Sequence, residues 1–167
     1  MKKVVLLVLV FSTLALSGWA QNYKLRTVVV YSFTKYILWP EGYTTGDFEI
    51  KVLGESPFVN ELKVMAQSKK VGDRPIKVTK INDLSEIKRC HVLIVPASRS
   101  SEISAILQST EGQPVLVVTE EPGMGSKGSD INFVDKDGKL AFELNQNSIN
   151  KRKLKVSTEL TRLAILI

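Results

Sequence analysis

Two short apolar runs, Val92–Val95 and Val115–Val118, limit what this chain can fold into more than any other feature. A continuous run of this kind is typical of a strand that is buried on both faces, in a sheet that helices cover on both sides. The stretch between them, Ser100–Gln108, has its apolar residues on one helical face. A buried strand, a helix and a second buried strand in succession predict a parallel α/β sheet.

The residues before these runs begin with a predicted helix. Tyr23–Leu38 favours a helix because Trp39-Pro40 ends the segment as a helix ends, although Val28–Val30 within it also suits a strand. Its apolar residues recur at i, i+4 spacing on one predicted buried face, formed by Leu25, Val29, Phe33 and Ile37.

Two strands and a second helix are predicted to follow. Phe48–Leu53 and Ile76–Ile81 are the strands. Between them, Ser56 and Pro57 are the N-cap and the first residue of a helix that is predicted to run to about Ser68.

The C-terminal part predicts a hairpin followed by helices. Ile131–Val134 and Leu140–Leu144 are predicted strands joined by the turn residues Asp135–Gly138. Residues from Ser148 onward are predicted to be mostly helical, with a break before a last helix that Ser157 caps. The predicted fold class is a single α/β domain with a largely parallel sheet, an antiparallel C-terminal hairpin and flanking helices.

The first residues have the pattern of a secretory signal peptide. Two lysines precede the apolar run Val4–Leu16, and small residues flank a cleavage position after Ala20. The apolar run is too short for a membrane span, which disfavours the alternative of an uncleaved anchor. The sequence therefore predicts a signal peptide over residues 1–20 and one exported, periplasmic domain over residues 21–167.

The charge of the chain is mildly basic. Its formal net charge is +6, and removal of Lys2 and Lys3 with the signal peptide leaves 21 basic and 17 acidic residues, or +4. This excess suits solubility, an acidic protein surface or anionic lipid headgroups. Nucleic acid is not an expected partner, because the chain is predicted to be exported and has no concentrated basic stripe.

Cys90 and His91 are the only cysteine and the only histidine of the chain. One cysteine cannot form an internal disulfide, and its place before an apolar run predicts that Cys90 is buried and unreactive. Successive strand side chains point to opposite faces, so the two residues cannot act as a thiolate–imidazole pair. An envelope hydrolase would have to use His91 as its only imidazole base, whereas the expected role of this histidine is a structural one at the entrance of a strand. No further His or Cys offers a zinc cluster, so we expect no metal site, and we expect no cofactor and no catalytic residue.

Gly123–Gly128 has the spacing G-x-G-x-x-G and follows a predicted strand. A dinucleotide site also needs a helix that begins within the motif, whereas Ser129 and Asp130 lead into the strand Ile131–Val134. Nucleotide binding is therefore disfavoured. Pro122–Ser129 is predicted to be a surface loop, either mobile or used for binding.

Polar residues after the hairpin are candidate contact residues. Glu143 and Asn145 lie at a predicted sheet edge, where the carboxylate is expected to be solvated or to meet backbone amides or a basic partner such as Lys151 or Arg152. Lys151, Arg152 and Lys153 are either a solvated helix face or a contact for an acidic protein or anionic lipid. In the second case, charge reversal at Lys151 and Arg152 is expected to weaken partner binding without lowering the melting temperature.

Two other places for binding are open from the sequence. The last residues, Leu163–Ile167, are apolar, which predicts docking on the sheet or, if they are exposed, an element that binds a partner. A small-ligand-binding module would instead have its cleft at the carboxyl ends of the parallel strands, which is the usual ligand position in such sheets.

Eight segments, in this order, are similar to those of one known family. Phe33–Pro40 reads FTKYILWP and has the pattern F-x-K-[YF]-[IV]-x-W-P at the end of the first helix. The other seven are Ile50–Gly54, Arg74–Ile76, Cys90–Val95, Pro114–Val118, Ile131–Val134, Phe142–Asn145 and Leu160–Ala164. Together they cover nearly all of the predicted mature chain and resemble the YfiR/HmsC family of periplasmic regulators.

The resemblance implies a regulatory role without catalysis. The best-known members bind the periplasmic part of a membrane-bound diguanylate cyclase and hold it inactive, and their release raises cyclic-di-GMP and promotes biofilm. By this resemblance the chain is expected to inhibit an inner-membrane receptor, either a diguanylate cyclase or a sensor kinase, and to form a homodimer. The alternative is a periplasmic small-ligand-binding module without a cyclase partner.

The resemblance also implies a small pocket near the strand that contains Glu143. Better-known members carry disulfides, which the single cysteine of this chain cannot form within the domain. The residues expected to bind the partner or a ligand are Ser126, Glu143, Asn145, Lys151 and Arg152.

Overall fold

The computed structural model of the protein describes residues 22–167. The predicted signal peptide, residues 1–20, lies outside the described residues. Within residues 22–167, no helix combines the length and the apolar character that a membrane span requires.

Helices and strands alternate along most of the described chain. The helices are α1 (residues 22–36), α2 (Phe58–Ser68), α3 (Ile103–Ser109, after the 3₁₀ turn Ala97–Glu102), α4 (Gln146–Lys151) and α5 (Thr158–Leu163). The strands are β1 (Ile37–Leu38), β2 (Phe48–Leu53), β3 (Lys70–Val71), β4 (Arg74–Ile81), β5 (Val92–Val95), β6 (Leu116–Thr119), β7 (Ile131–Lys136), β8 (Lys139–Leu144), β9 (Lys155–Val156) and β10 (Ile165–Leu166).

Eight strands form one sheet in the order β10-β8-β7-β6-β5-β2-β4-β3, and β1 pairs with β9 in a separate two-stranded sheet. The neighbours β7, β6, β5, β2 and β4 run parallel to one another. β8 returns antiparallel to β7, and β3 is antiparallel to β4. The predicted fold class is confirmed. The hairpin does not form the edge of the sheet, however, because β10 pairs in parallel with β8 outside it.

The core has one layer on each face of the sheet. All residues of β5 and β6 are buried, as their apolar runs predicted. On one face, Phe33 of α1 and Phe58 of α2 pack with Phe133 of β7. On the other face, Ile106 of α3 belongs to a buried cluster with Leu93 of β5. Burial on both faces explains why the central strands carry continuous apolar runs rather than alternating ones.

The N-terminal segment is a helix, but part of its predicted buried face is wrong. Leu25 is 52% exposed, whereas Phe33 is fully buried. The buried residues of the helix are Thr27, Val30, Phe33 and Thr34, which lie three and four residues apart and leave Leu25 on another side of the helix. Ile37 is buried as predicted, but it belongs to β1 because the helix ends at residue 36.

Serine side chains support the starts of α2 and α5, and α2 begins at Phe58, one residue after the predicted first residue Pro57. Ser56 Oγ accepts a hydrogen bond from the Phe58 amide at 3.2 Å, and Pro57 has helical backbone angles. Ser157 Oγ accepts a hydrogen bond from the Leu160 amide at 3.3 Å. Each hydroxyl satisfies an amide that has no partner within its helix, so these residues fix where the helices begin.

The hairpin between β7 and β8 turns on two residues. Asp137 and Gly138 have positive φ angles of 55° and 74°, and Lys136 pairs with Lys139 across the turn. Asp and Gly are favoured in the two-residue turn that matches the twist of paired strands. The turn fixes the register that places Glu143 opposite Asn132.

Candidate functional site

A groove of about 740 Å³ lies between the C-terminal end of α3 and α4. It lies at the amino-terminal edge of the central parallel strands, because α3 leads into β6 here and the antiparallel β8 ends here. This groove therefore does not lie at the carboxyl ends of these strands, where the sequence analysis placed a ligand cleft. Its lining residues are Leu107, Gln108, Glu111, Gly112, Gly128, Asn145, Asn147, Ser148, Lys151, Arg152 and Ile167.

A buried ion pair lies next to this groove. Asp130, just before β7, is fully buried, and Arg152, just after α4, is 6% exposed. Arg152 Nε lies 2.9 Å and 2.7 Å from the two carboxylate oxygens of Asp130. Arg152 Nη1 also donates to the carbonyl oxygen of Thr110 at 2.9 Å. The pair therefore connects the end of α3, the start of β7 and the end of α4.

Two further donors complete the surroundings of Asp130. The Val117 amide donates to Oδ2 at 2.7 Å, and the Ser148 hydroxyl donates to Oδ1 at 2.6 Å. Burial raises the pKa of Asp130, and the Arg152 guanidinium, the Ser148 hydroxyl and the Val117 amide oppose that effect by binding the charged form. A buried carboxylate with this many donors is the arrangement in which burial of a charge is tolerated.

The local sequence explains how α4 brings its side chains to the pair. Asn145 caps α4, since its Oδ1 accepts a hydrogen bond from the Ser148 amide at 3.0 Å. The Asn145 amide donates to the carbonyl oxygen of Asp130 at 2.9 Å, which fixes the start of the helix against β7. Ser148 and Arg152 are four residues apart, so both lie on the face of α4 that meets Asp130.

The basic cluster predicted after α4 divides into two kinds of residue. Lys151 is exposed and lines the groove, whereas Arg152 is buried against Asp130. The expectation that charge reversal at both positions leaves the melting temperature unchanged is therefore wrong, because a carboxylate at position 152 would face Asp130 in the core. Asp130 itself was not predicted as a site residue. A signal for it was present, since an aspartate that directly precedes an apolar strand inside a buried sheet needs a cationic partner.

Glu143 has a different partner from the basic one that the sequence suggested. Its Oε2 accepts a hydrogen bond from Asn132 Nδ2 at 3.0 Å, across the β7–β8 pair. Asn132 Oδ1 in turn accepts from the Thr119 hydroxyl at 2.8 Å, and that hydroxyl lies 2.8 Å from the Ser129 hydroxyl. A chain of polar side chains therefore crosses β6, β7 and β8.

The glycine-rich loop is packed against the domain. Met124 and Gly125 are buried, and Asn145 Nδ2 donates to the Gly125 carbonyl oxygen at 3.3 Å. A Cβ atom added to Gly125 would lie only 2.6 Å from Glu143 Oε2 and 2.6 Å from Ile167 Cδ1. The loop backbone therefore passes directly over these two side chains, and a Cβ atom at position 125 would require their ends to move. The interpretation of this loop as mobile is not supported, and no helix begins within the glycine motif.

The predicted site residues share one region but do not all line the groove. Asn145, Lys151 and Arg152 line it. Ser126 is exposed on the loop and donates to the Gly123 carbonyl oxygen at 2.8 Å. Glu143 lies under the same loop. The lining residues that the sequence analysis did not single out for this groove come from α3 and the turn after it, from the loop at Gly128, from α4 and from Ile167.

The backbone of the apolar C-terminal residues pairs with the sheet, whereas their large side chains remain exposed. The backbone of β10 pairs with β8, and the Ile167 amide donates to the Leu144 carbonyl oxygen at 3.1 Å. The side chains of Leu163, Leu166 and Ile167 are nevertheless 68%, 53% and 46% exposed. We call these three residues the C-terminal edge. Ile167 also lines the groove, so the edge and the groove are continuous.

Cys90 is buried and is not bonded to another cysteine, as the sequence predicts. Burial raises the pKa of its thiol to about 12. Because the thiolate is the reactive form of cysteine, this thiol is unreactive at neutral pH.

His91 is buried before β5 and holds two neighbouring segments. Its Nδ1 accepts a hydrogen bond from the Glu49 amide at 3.0 Å, so the proton lies on Nε2, which donates to the Tyr43 carbonyl oxygen at 2.8 Å. The ring stacks on Phe48 with a centroid distance of 4.4 Å. Burial lowers the pKa of His91, and the nearby Arg74 guanidinium lowers it further. This geometry supports a structural role for His91.

A metal centre is not formed by the part of the chain that the structure describes, where no group of three or more His, Cys, Asp or Glu side chains could hold an ion.

Residues 23–165 match the protein family described as YfiR/HmsC-like, which covers almost all of the described chain. No curated protein matches the sequence.

We expect the substitution Asp130→Asn to lower the free energy of unfolding by about 3–5 kcal/mol, because it leaves Arg152 charged, buried and without its partner. Urea unfolding followed by circular dichroism measures this change. Asp137→Asn is a matched control, since Asp137 is exposed in the hairpin turn and asparagine suits its positive φ. A loss below about 1 kcal/mol in Asp130→Asn would show that the pair is not needed for stability.

We also expect the stability of the protein to fall as the pH drops below about 6.5. Protonation of His91 makes Nδ1 a donor, breaks its bond from the Glu49 amide and places a cation beside Arg74 and Arg89. Since the pKa of His91 is lowered in the folded chain, the unfolded chain takes up the proton first. The contribution of neutral His91 is thus complete above the unfolded pKa and is lost below it.

The variant His91→Gln isolates this effect from the titration of carboxylates. A glutamine side chain has an acceptor for the Glu49 amide and a donor for Tyr43, and it does not titrate. Urea unfolding between pH 7.5 and 5.5 should show a smaller loss of unfolding free energy for His91→Gln than for the natural protein. The same pH dependence in both proteins would contradict the assignment.

Proposed function

The chain belongs to the YfiR/HmsC-like family, and from this premise we propose that it is a periplasmic regulator that binds an inner-membrane signalling protein. It binds the periplasmic sensor region of that protein and holds it in its inactive state. The proposed receptor is a diguanylate cyclase, so binding lowers cyclic-di-GMP and limits biofilm. The observation that carries the proposal is the family match over residues 23–165.

The C-terminal edge supports a role in protein binding. Leu163, Leu166 and Ile167 follow one another closely along the chain and all expose large apolar side chains. We propose these three side chains as the contact surface, because large exposed apolar patches mark sites of protein–protein interaction. Exposed Lys151 lies in the same groove as Ile167 and adds a positive charge that an acidic receptor surface would complement.

Inhibition by binding needs no chemical step. A protein that binds only the inactive receptor shifts the receptor's equilibrium by its difference in affinity for the two states. A preference of about tenfold corresponds to about 1.4 kcal/mol. A larger difference in affinity holds a larger fraction of the receptor in its inactive state, and loss of binding returns the receptor to the equilibrium that it has alone.

Export and assembly belong to the same proposal. The predicted signal peptide delivers the domain to the periplasm, where the sensor region of an inner-membrane receptor is accessible. The homodimer that the family resemblance implies is part of the proposal as a prediction. The alternative function, a small-ligand-binding module without a cyclase partner, is favoured by one observation, the groove of about 740 Å³.

We expect deletion of the gene to raise cellular cyclic-di-GMP and exopolysaccharide, and the natural protein to restore both. The variant Leu163→Asp should fail to restore them, because it places a charge in the apolar C-terminal edge without touching the core. Cyclic-di-GMP is measured by mass spectrometry of cell extracts. Thermal unfolding of the purified variant checks that the domain remains folded.

Val64→Asp is the matched control. Val64 is an apolar residue on a helix, α2, and at 63% it is nearly as exposed as Leu163. It should restore repression like the natural protein. Deletion without an effect on cyclic-di-GMP would contradict the cyclase partner, and full repression by Leu163→Asp would exclude the C-terminal edge as the contact.

A further inference from the structure

We propose that a polar groove over β2 and β4 binds a phosphate group that carries two negative charges. The groove has about 660 Å³ of space, which is within the usual range for sites of small ligands. Every residue that lines it is charged, a threonine or a glycine. This binding is a property of the domain itself and does not depend on the proposed receptor.

The floor of the groove is one face of two neighbouring parallel strands. The buried side chains of β2 that alternate with Glu49 and Lys51 pack in the core with α2, so Glu49 and Lys51 point to the opposite face of the sheet. The register places Lys77 of β4 beside Glu49 and Thr79 beside Lys51. Two basic residues from the segment just before β5 also line the groove. Polar side chains from three segments therefore face one space.

The lining has an excess of two positive charges. Two of its residues are acidic and four are basic, namely Asp47, Glu49, Lys51, Lys77, Lys88 and Arg89. Lys77 Nζ lies 3.3 Å from Glu49 Oε1, so these two charges neutralise each other. Three cations then face the single carboxylate of Asp47. A bound dianion balances this excess, whereas a group with one negative charge leaves a cation without a counter-charge.

The ammonium group of Lys51 is held in place by the backbone. It donates hydrogen bonds to the carbonyl oxygens of Glu86 at 2.7 Å and of Lys88 at 2.6 Å. An ammonium group has three donors, and the third has no acceptor among residues 22–167. Because the other two bonds fix its position, this charge can meet an anion in the groove at little cost in side-chain entropy.

The guanidinium group of Arg89 is also held in place. Its Nη2 donates to the Gly42 carbonyl oxygen at 3.0 Å, and the group lies over the Tyr43 ring, 5.7 Å from its centroid. Its Nε and Nη1 donate to none of the residues from 22 to 167. The backbone of Arg89 has a positive φ of 35°, which is uncommon for a residue other than glycine and is found most often at functional sites.

Phosphate fits this lining better than a carboxylate does. A phosphate monoester has three strong acceptor oxygens and close to two negative charges at neutral pH, whereas a carboxylate has two oxygens and one charge. The lining has no apolar residue that could hold a hydrocarbon body. The group recognised is therefore phosphate, either as a soluble ion or small ester or at the head of an anionic lipid.

The groove is separate from the proposed receptor surface. In the strand order, β5, β6 and β7 lie between β2 and β8, and β10 lies beyond β8. A phosphate group in the groove therefore leaves the C-terminal edge accessible.

Inorganic phosphate is the first probe for this site, at about pH 8, where it carries two charges. In a titration followed by ¹⁵N–¹H NMR spectra of the purified protein, phosphate should cause saturable shifts of the Gly46, Thr79 and Arg89 amides. Acetate at the same ionic strength has one charge, and it should need at least about tenfold higher concentrations for the same shifts.

The variant Lys88→Met should raise the Kd for phosphate about fivefold, because it removes a charged donor from the groove and keeps the length of the side chain. The Lys88 ammonium bonds to none of the described residues, so its loss leaves the fold intact. Lys63→Met is the matched control, since Lys63 is exposed on α2, which packs on the opposite face of the sheet. It removes the same charge and should leave the Kd unchanged.

Vesicles distinguish the two sources of the phosphate group. The protein is sedimented with vesicles of phosphatidylcholine that contain phosphatidic acid, and with vesicles of phosphatidylcholine alone. Binding to the first vesicles only, weakened by Lys88→Met and not by Lys63→Met, would support a lipid headgroup as the source. Phosphate binding in solution without vesicle binding would support a soluble phosphate.

Three results would overturn the proposal. They are the absence of saturable shifts at the groove with phosphate, equal binding of acetate and phosphate, and equal effects of Lys88→Met and Lys63→Met on the Kd for phosphate. None of these results bears on cyclic-di-GMP, so the proposed function is tested separately.

Discussion

The buried pair of Asp130 and Arg152 is the interaction on which this region of the molecule depends. It joins α3, β6, β7 and α4 through one carboxylate and one guanidinium, with the Ser148 hydroxyl and the Val117 amide as further donors. Burial of two charges is costly in itself, and the hydrogen bonds around them offset that cost only in this geometry. The pair therefore holds the end of α4 against β7 and the end of α3.

The groove and the C-terminal edge both follow from that position of α4. The helix forms one wall of the groove, α3 forms the other, and the chain then returns through β9 and α5 to place β10 beside β8. Backbone pairing fixes β10, while its apolar side chains stay largely exposed. A backbone that is already fixed suits protein binding, because little conformational entropy is lost when a partner binds to its exposed apolar side chains.

The sequence predicted the fold better than the site because the two depend on contacts of different range. The runs at β5 and β6, the serine caps and the Asp137-Gly138 turn are local signals, and each predicted its element. The pairing of Arg152 with Asp130 joins residues 22 positions apart, and the groove joins Leu107 to Ile167. No local sequence pattern predicts contacts between residues so far apart in the chain. Lys151 and Arg152 were therefore predicted to have the same role, although only Lys151 is exposed.

The central claim, that this protein holds an inner-membrane receptor inactive, is tested most directly by cross-linking in its own bacterium. The tagged mature chain, residues 21–167, is cross-linked in living cells, and proteins enriched from the membrane fraction are identified by mass spectrometry. The account predicts enrichment, over a tagged unrelated periplasmic protein, of a membrane protein with a periplasmic sensor region and a cyclase module. Enrichment of no membrane signalling protein would contradict the claim.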